Sequence, residues 1–319
     1  MSGLMDAIGV VSGVLGIISF FQDNIPGNPP PQGAILRVKA GNPGDDDPGL
    51  AGDVQAAYSW DIGNNYHGQS DGAYIEIGDV KDLTIDSFSG GSRADFAGIS
   101  VADNALCVAW ITVTQLDGTD PGAWTGDIGA NCNQHWFMQI EPAGYLKDST
   151  EDYIPRCTWL DADHTGDVEG QPPTNAAMKF RVGAYGKDVA GTVANNKACD
   201  ATIWGYDNAP INAAPPGKRS FRPRKAWMEE VLVVSPNITS HKAVDLCNSI
   251  TSWGPDFVGS DGNYCDMGTH TLFPLCSTAD VDGCVNIDTN SNAVTRRSVG
   301  PKRAVNHSHK EYKKIKHWG

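Results

Sequence analysis

The chain is predicted to be mainly β: an antiparallel sandwich or barrel-like body with one C-terminal helix, a cysteine-rich hairpin and an apolar N-terminal helix. Three observations carry that reading. Of 38 acidic residues, 31 are Asp and only 7 are Glu, while 36 Gly and 19 Pro together make about one residue in six. Asp, Gly and Pro favour turns, whereas Glu favours helix interiors. Short apolar or alternating runs recur between turn-rich stretches along residues 34–206, which is the pattern of a sandwich or barrel. General disorder is excluded, because 40% of the 319 residues are apolar and nine tryptophans need burial.

Residues 7–21 (AIGVVSGVLGIISFF) are almost wholly apolar. As a helix they span about 22 Å, short of the roughly 30 Å hydrocarbon core of a bilayer. Asp6 is the only side-chain charge ahead of the run and no A-x-A-like site follows Phe21, so a conventional signal peptide is not evident. Gly9, Gly13 and Gly16 fall on one helical face and permit close backbone approach in an apolar setting. An atypical signal, a helix packed in a core or subunit interface, and a membrane-inserting helix all fit. Residues 24–33 (NIPGNPPPQG) exclude both helix and central strand, and read as a linker.

Strands are expected over 34–39, 54–60, 73–77, 80–87, 105–116, 134–140, 176–182 and 201–206. The run at 105–116 (ALCVAWITVTQL) is the longest. Residues 207–225 are Pro-rich with five cations and form a linker, loop or processing site. A strand candidate at 226–234 precedes the one plausible helix, with Ser240 as its cap and Ala243, Val244, Cys247, Ile250 and Trp253 at helical spacing. A hairpin over 263–276 turns at Gly268-Thr269. The expected organisation is therefore an apolar N-terminal segment (1–25), a β-rich domain (34–206), a Pro/basic linker (207–225), a disulfide-rich β/α subdomain (226–295) and a basic tail (296–319).

Charge is unevenly placed. The whole chain carries −14. Residues 296–319 hold eight Lys/Arg against Glu311, or +7, which leaves −21 for the rest. Such a body repels nucleic acid and anionic membranes. The tail is either a solvated terminus or docks on an acidic surface, its own or a neighbour's. Asp45, Asp46 and Asp47 with Asp53 form one candidate surface of that kind.

The eight cysteines (Cys107, Cys132, Cys157, Cys199, Cys247, Cys265, Cys276, Cys284) are even in number and lack C-x-x-C spacing, which favours disulfides over a zinc or redox site. Their connectivity stays open, since eight cysteines allow 105 pairings. Asn237 and Asn306 head N-x-[ST] sequons. Together these features point to a secreted or cell-surface protein, with a cytosolic protein of reduced thiols as the alternative.

The best metal candidate is the run from Asp161 to Glu169 (DADHTGDVE). Asp161, Asp163, Thr165 and Asp167 offer oxygen at calcium-loop spacing, with Gly166 at the sharp turn. Position twelve is Pro172 where a bidentate Glu belongs, so an Asp-rich turn serving its own backbone competes with calcium. No other cofactor is implied. G-x-S-x-G, H-E-x-x-H, G-x-G-x-x-G and G-x-x-x-x-G-K-[ST] are all missing, and the sequence leans away from an enzyme. Trp60 and Trp124 are candidates for stacking on sugars, against plain packing. His135, beside Trp136 and Phe137, reads as a core or cleft residue.

Several segments carry a resemblance. The opening Met1-Ser2-Gly3-Leu4, the run Cys157-Thr158-Trp159-Leu160-Asp161-Ala162-Asp163-His164 and the segments Tyr264-Cys265-Asp266-Met267 and Leu272-Phe273-Pro274-Leu275-Cys276 resemble a group of filamentous-fungal (ascomycete) proteins. The resemblance implies a fungal source and transfers no catalytic residue. The apolar start is also similar in composition to the membrane-inserting N-termini of fungal cell-death proteins. The expected function is that of a non-enzymatic, self-assembling structural or binding protein. It would form a homo-oligomer through the N-terminal helix and basic tail, with membrane contact through the N-terminus and no specific nucleic acid. A membrane-inserting toxin and a secreted carbohydrate-binding or carbohydrate-active sandwich are the alternatives.

Overall fold

The computed structural model describes residues 33–44, 48–88, 93–118, 120–145, 150–165, 173–194, 199–212, 226–249, 251–300 and 303–319. The N-terminal segment with Gly9, Gly13 and Gly16, the cluster Asp45–47 and most of the 207–225 linker lie outside these residues. The chain divides into two compact units, Met1–Arg222 and Pro223–Gly319.

The first unit is an open sandwich. One sheet orders Trp136–Phe137, Cys157–Leu160, Leu106–Thr114, Ile35–Ala40 and Val80–Thr84, with Gly122–Thr125 also paired to Leu106–Thr114. The second orders Thr202–Gly205, Ala177–Arg181, Phe96–Val101, Gly52–Trp60, Tyr66–Gln69 and Asp86–Ser87, with Ala73–Ile75 paired to Gly52–Trp60. Every pairing in both is antiparallel. Among the described residues neither sheet closes on itself, which corrects the barrel-like alternative.

The two sheets share one apolar core. Leu36, Val38, Leu106, Val108, Ile111 and Val113 meet Val54, Ala57, Ala97, Ile99, Val101, Met178 and Phe180 in it. Side chains alternate along a strand, so Val108 and Ile111 can both face inward only if the register slips between them. It does: Lys39 pairs with Trp110, but Ala40 pairs with Val108. A second irregularity, between Val54 and Ala56, turns Val54 and Ala57 into the core while Ala56, Tyr58 and Trp60 form a separate cluster. Bulges of this kind re-aim a whole run of side chains.

Two disulfides staple this unit, Cys107–Cys157 and Cys132–Cys199. The strand Phe96–Val101, which sits between Gly52–Trp60 and Ala177–Arg181, was not expected. Its Ala97 and Gly98 weaken the apolar signal, yet a Cβ at Gly98 would lie 2.3 Å from the Met178 carbonyl oxygen. Close approach of the neighbouring backbone requires glycine there.

The second unit holds a five-stranded sheet ordered Thr271–Pro274, Asn263–Asp266, Asp256–Val258, Val231–Val234 and Lys314–His317, and a three-stranded meander of Val285–Asp288, Ala293–Gly300 and Arg303–Glu311. Val231–Val234 pairs in parallel with both neighbours. Leu232, Val258, Tyr264, Val285, Val294 and Tyr312 make its core. The expected hairpin is present, Asn263–Asp266 against Thr271–Pro274, and Cys247–Cys265 and Cys276–Cys284 staple the unit.

Three expectations are corrected here. Residues 226–234 are half helix: Ala226–Glu230 is helical and only Val231–Val234 is strand. The predicted helix covers only Ala243–Cys247, and Ser240 does not cap it. Instead the Asp261 carboxylate accepts from the backbone N–H groups of Ala243 and Val244, each at 3.1 Å. The basic C-terminal residues are not a tail but strands of this unit. Their cations meet its own carboxylates: Lys310 with Asp256, Lys313 with Glu230 and Arg297 with Asp280.

Candidate functional site

The outer face of the second sheet carries the most unusual group of the first unit. Tyr58 and Trp60 project there from Gly52–Trp60, joined by Phe96 and Tyr66. Trp60 lies 6.0 Å, ring centre to ring centre, from both Tyr58 and Tyr66. Into this aromatic cluster Ala177–Arg181 sends Lys179, a residue only 2% exposed. Its ammonium lies 3.8 Å from the Trp60 ring centre and 5.2 Å from that of Phe96, near enough for cation–π attraction.

Two acceptors complete the lysine's environment. Nζ donates to Asn64 Oδ1 and, at 3.2 Å, to the Ile211 carbonyl. Asn64 can present its side chain because its backbone is left-handed (φ 65°), a conformation Asn tolerates. The Asp61 carboxylate fixes the same turn by accepting from the Asn65 backbone N–H at 2.8 Å. Trp60 Nε1 donates to Asn212 Oδ1, so Lys179 and Trp60 together hold the irregular segment at Ile211 and Asn212 against the sheet. Burial lowers the Lys179 pKa to about 8.

Beside the lysine stem a cavity of about 160 Å³ opens between Phe96, Arg181, Thr192, Asp200 and Ile203. At the far edge of the sheet, Phe88 is 77% exposed and packs edge-on against Tyr66, 5.7 Å between centres. Ile62, in the turn that leads into Tyr66–Gln69, is 69% exposed. Phe88 follows the two-residue edge strand Asp86–Ser87 directly.

In the second unit the wholly buried Asp256 collects donors. Its Oδ2 accepts from Lys310 Nζ and Tyr312 Oη, both at 2.6 Å, and from Tyr264 Oη at 3.3 Å, while Oδ1 accepts from the Met267 N–H at 2.9 Å. Burial and then the Asp256 charge raise both tyrosines well above the usual phenol range. Ser235 Oγ and His241 Nδ1 stand 2.8 Å apart, but both side chains are buried, the imidazole edge-on to Phe257 and Trp318. These are the internal ties of a fold, closed to a substrate.

The candidates named from sequence fall out as follows. Asp161 is buried at the end of Cys157–Leu160, while Asp163 is at the surface with Oδ1 accepting from the Thr165 N–H (2.9 Å) and hydroxyl (2.7 Å). His164, with left-handed backbone (φ 52°), stacks on Tyr206 at 3.8 Å and reaches the Thr174 carbonyl. The Asp163 carboxylate thus accepts within its own turn, while Gly166 and Asp167 lie outside the described residues. Among the described residues no three His, Cys, Asp or Glu side chains converge on a metal position. Trp60, Trp124 and His135 are all buried, which removes both tryptophans as exposed stacking platforms. Asn237 is exposed in a turn, and Asn306 lies within Arg303–Glu311 opposite Arg297.

Lys179 was missed. The signal was a lysine at an outward position of an apolar strand (AMKFR), which alone reads as a solvated residue; only the fold brings Trp60, Phe96 and Asn64 around it.

No protein family and no curated protein matches the chain. Among solved structures, the Delta413-417:GS LOX chain is similar at 10% identity and a TM-score of 0.23, covering 44% of this chain and 18% of that one. Its anaerobic complex with arachidonate gives the same identity and coverage at a TM-score of 0.22. The chain spans less than a fifth of those proteins, and so slight a likeness carries no argument.

Proposed function

We propose that the protein is a secreted, non-enzymatic binding and self-associating protein. The observation that carries this reading is the exposure of two large apolar side chains, Phe88 just past the edge strand Asp86–Ser87 and Ile62 in the turn before Tyr66–Gln69, with Phe88 packed on Tyr66 and Tyr66 on Trp60. Contact surfaces gain affinity when aromatic anchors are held rigid in advance. The four disulfides suit an oxidising compartment, and two such staples in each unit supply that rigidity. The apolar Gly9/Gly13/Gly16 segment is the second contact element. Of the C-terminal cations, Arg297, Lys310 and Lys313 are engaged by their own unit's carboxylates, so the contact scheme leans on the apolar elements instead.

Light scattering over a concentration series tests the proposal. The full chain should exceed monomer mass, and Phe88→Ser with Ile62→Ser, or removal of residues 1–25, should reduce it. A full chain that stays monomeric at every concentration sinks the idea.

A second reading rests on the cavity beside Lys179. Arg181, Asp200 and Thr192 around the Phe96 ring suit a small polyhydroxylated ligand, its hydroxyls on the polar groups and a C–H face on the ring. Glycan-array binding that disappears in Asp200→Ala would favour it over self-association.

A further inference from the structure

The strand Val231–Val234 runs into a surface turn over residues 235–240 that carries Asn237-Ile238-Thr239. Both Asn237 and Thr239 are exposed. Ile238 is half-buried and anchors the turn, while the Asn237 side-chain amide remains at the surface and donates through Nδ2 to the Gly319 carbonyl at 3.1 Å. That hydrogen bond uses one of the two N–H bonds on Nδ2. The other is available for substitution, and a glycosylated amide keeps the first.

The position matters as much as the exposure. Lys314–His317 is an edge strand of its sheet among the described residues, paired on one side to Val231–Val234. Its last pairing sets His317 opposite Val234, and the Trp318 N–H then reaches the Val234 carbonyl. Asn237 therefore stands beside the C-terminal end of that strand.

We propose that Asn237 carries an N-linked glycan, displayed beside the C-terminal end of the Lys314–His317 strand. The donor is a lipid-linked oligosaccharide pyrophosphate. The Nδ2–anomeric carbon bond forms, the anomeric C–O bond to pyrophosphate breaks with its electron pair leaving on the phosphate, and one Nδ2 proton is lost. This rests on the secretory reading, so its test must separate the two.

The full chain is expressed in a yeast both as it stands and behind a cleavable secretory leader. The leader-directed protein should lose one whole glycan mass on treatment with peptide-N-glycosidase. That shift should vanish in Asn237→Gln and Thr239→Ala, return in Thr239→Ser, and persist in Asn306→Gln. A secreted, disulfide-bonded chain whose mass does not change, or whose shift maps to Asn306 alone, overturns the assignment. Glycan with the leader but none without it leaves the acceptor standing and removes the secretory route instead.

Discussion

The Lys179 ammonium sits 3.8 Å from the centre of the Trp60 ring, on the outer face of a sheet whose inner face is apolar core. A charge this buried makes stability depend on pH. The folded pKa of about 8 lies below the ordinary 10.5. Between those values the unfolded chain holds a proton that the folded chain has released, so stability rises with pH. From pH 7 to 9.5 the gain is about 2 kcal/mol by 1.36 kcal/mol per unit. Urea midpoints of the wild type should climb accordingly, and those of Lys179→Met should not. Equal slopes in the two proteins would exclude this origin.

Asp256 should be the costliest single carboxylate to remove from the second unit. Asp256→Ala leaves Lys310 without its buried partner and is expected to cost about 3–5 kcal/mol. Tyr312→Phe, which loses one hydrogen bond to a charged group, should cost about 2 kcal/mol. Thermal midpoints of the two variants give the ranking, and a milder Asp256→Ala would contradict it.

Tyr264 and Tyr312 set an alkaline limit of opposite sign to Lys179. Both hold their protons in the folded state above the usual phenol range. Above about pH 10 the unfolded chain releases its phenolic protons first, so the second unit loses stability as pH rises further. In Tyr312→Phe this loss should be shallower, as read by far-ultraviolet circular dichroism across pH 9–12.

Asp261→Ala should destabilise by about 1 kcal/mol, the usual value of a helix cap. The carboxylate serves two backbone N–H groups of Ala243–Cys247 and also accepts from Asn263 Nδ2 at 3.1 Å. Asp261→Asn should recover most of the loss in a melting experiment, and recovery by neither Asn nor Ser would argue against capping.

Removing the Cys107–Cys157 bridge by a double change to Ala should cost about 4 kcal/mol, because the bridge closes a separation of 50 residues and loop closure penalises the unfolded chain. The eight-residue Cys276–Cys284 loop should matter less. A reversed order in denaturant midpoints would mean that strain or residual structure dominates.

Much of the fold was legible. The 105–116 run became Leu106–Thr114, and 263–276 became the expected hairpin. Strands whose signal rests on small residues, such as Phe96–Val101, were not legible, because Gly98 is selected by the neighbouring backbone and not by periodicity. The Asp163–Thr165 turn shows the same limit from the other side. Its spacing suits a cation, and in the fold Asp163 Oδ1 accepts from Thr165; spacing alone does not reveal which partners a carboxylate takes.

What the sequence determined by itself is the class: turn-rich composition, alternating apolar runs and an even set of cysteines make a disulfide-linked β protein, since backbone preference and side-chain periodicity are local properties. Only the tertiary structure decided which cysteines join, that the basic C-terminal stretch is sheet, and that Lys179 is caged. Each of those depends on residues far apart in the chain being brought within a few ångströms, and no local pattern encodes such a meeting.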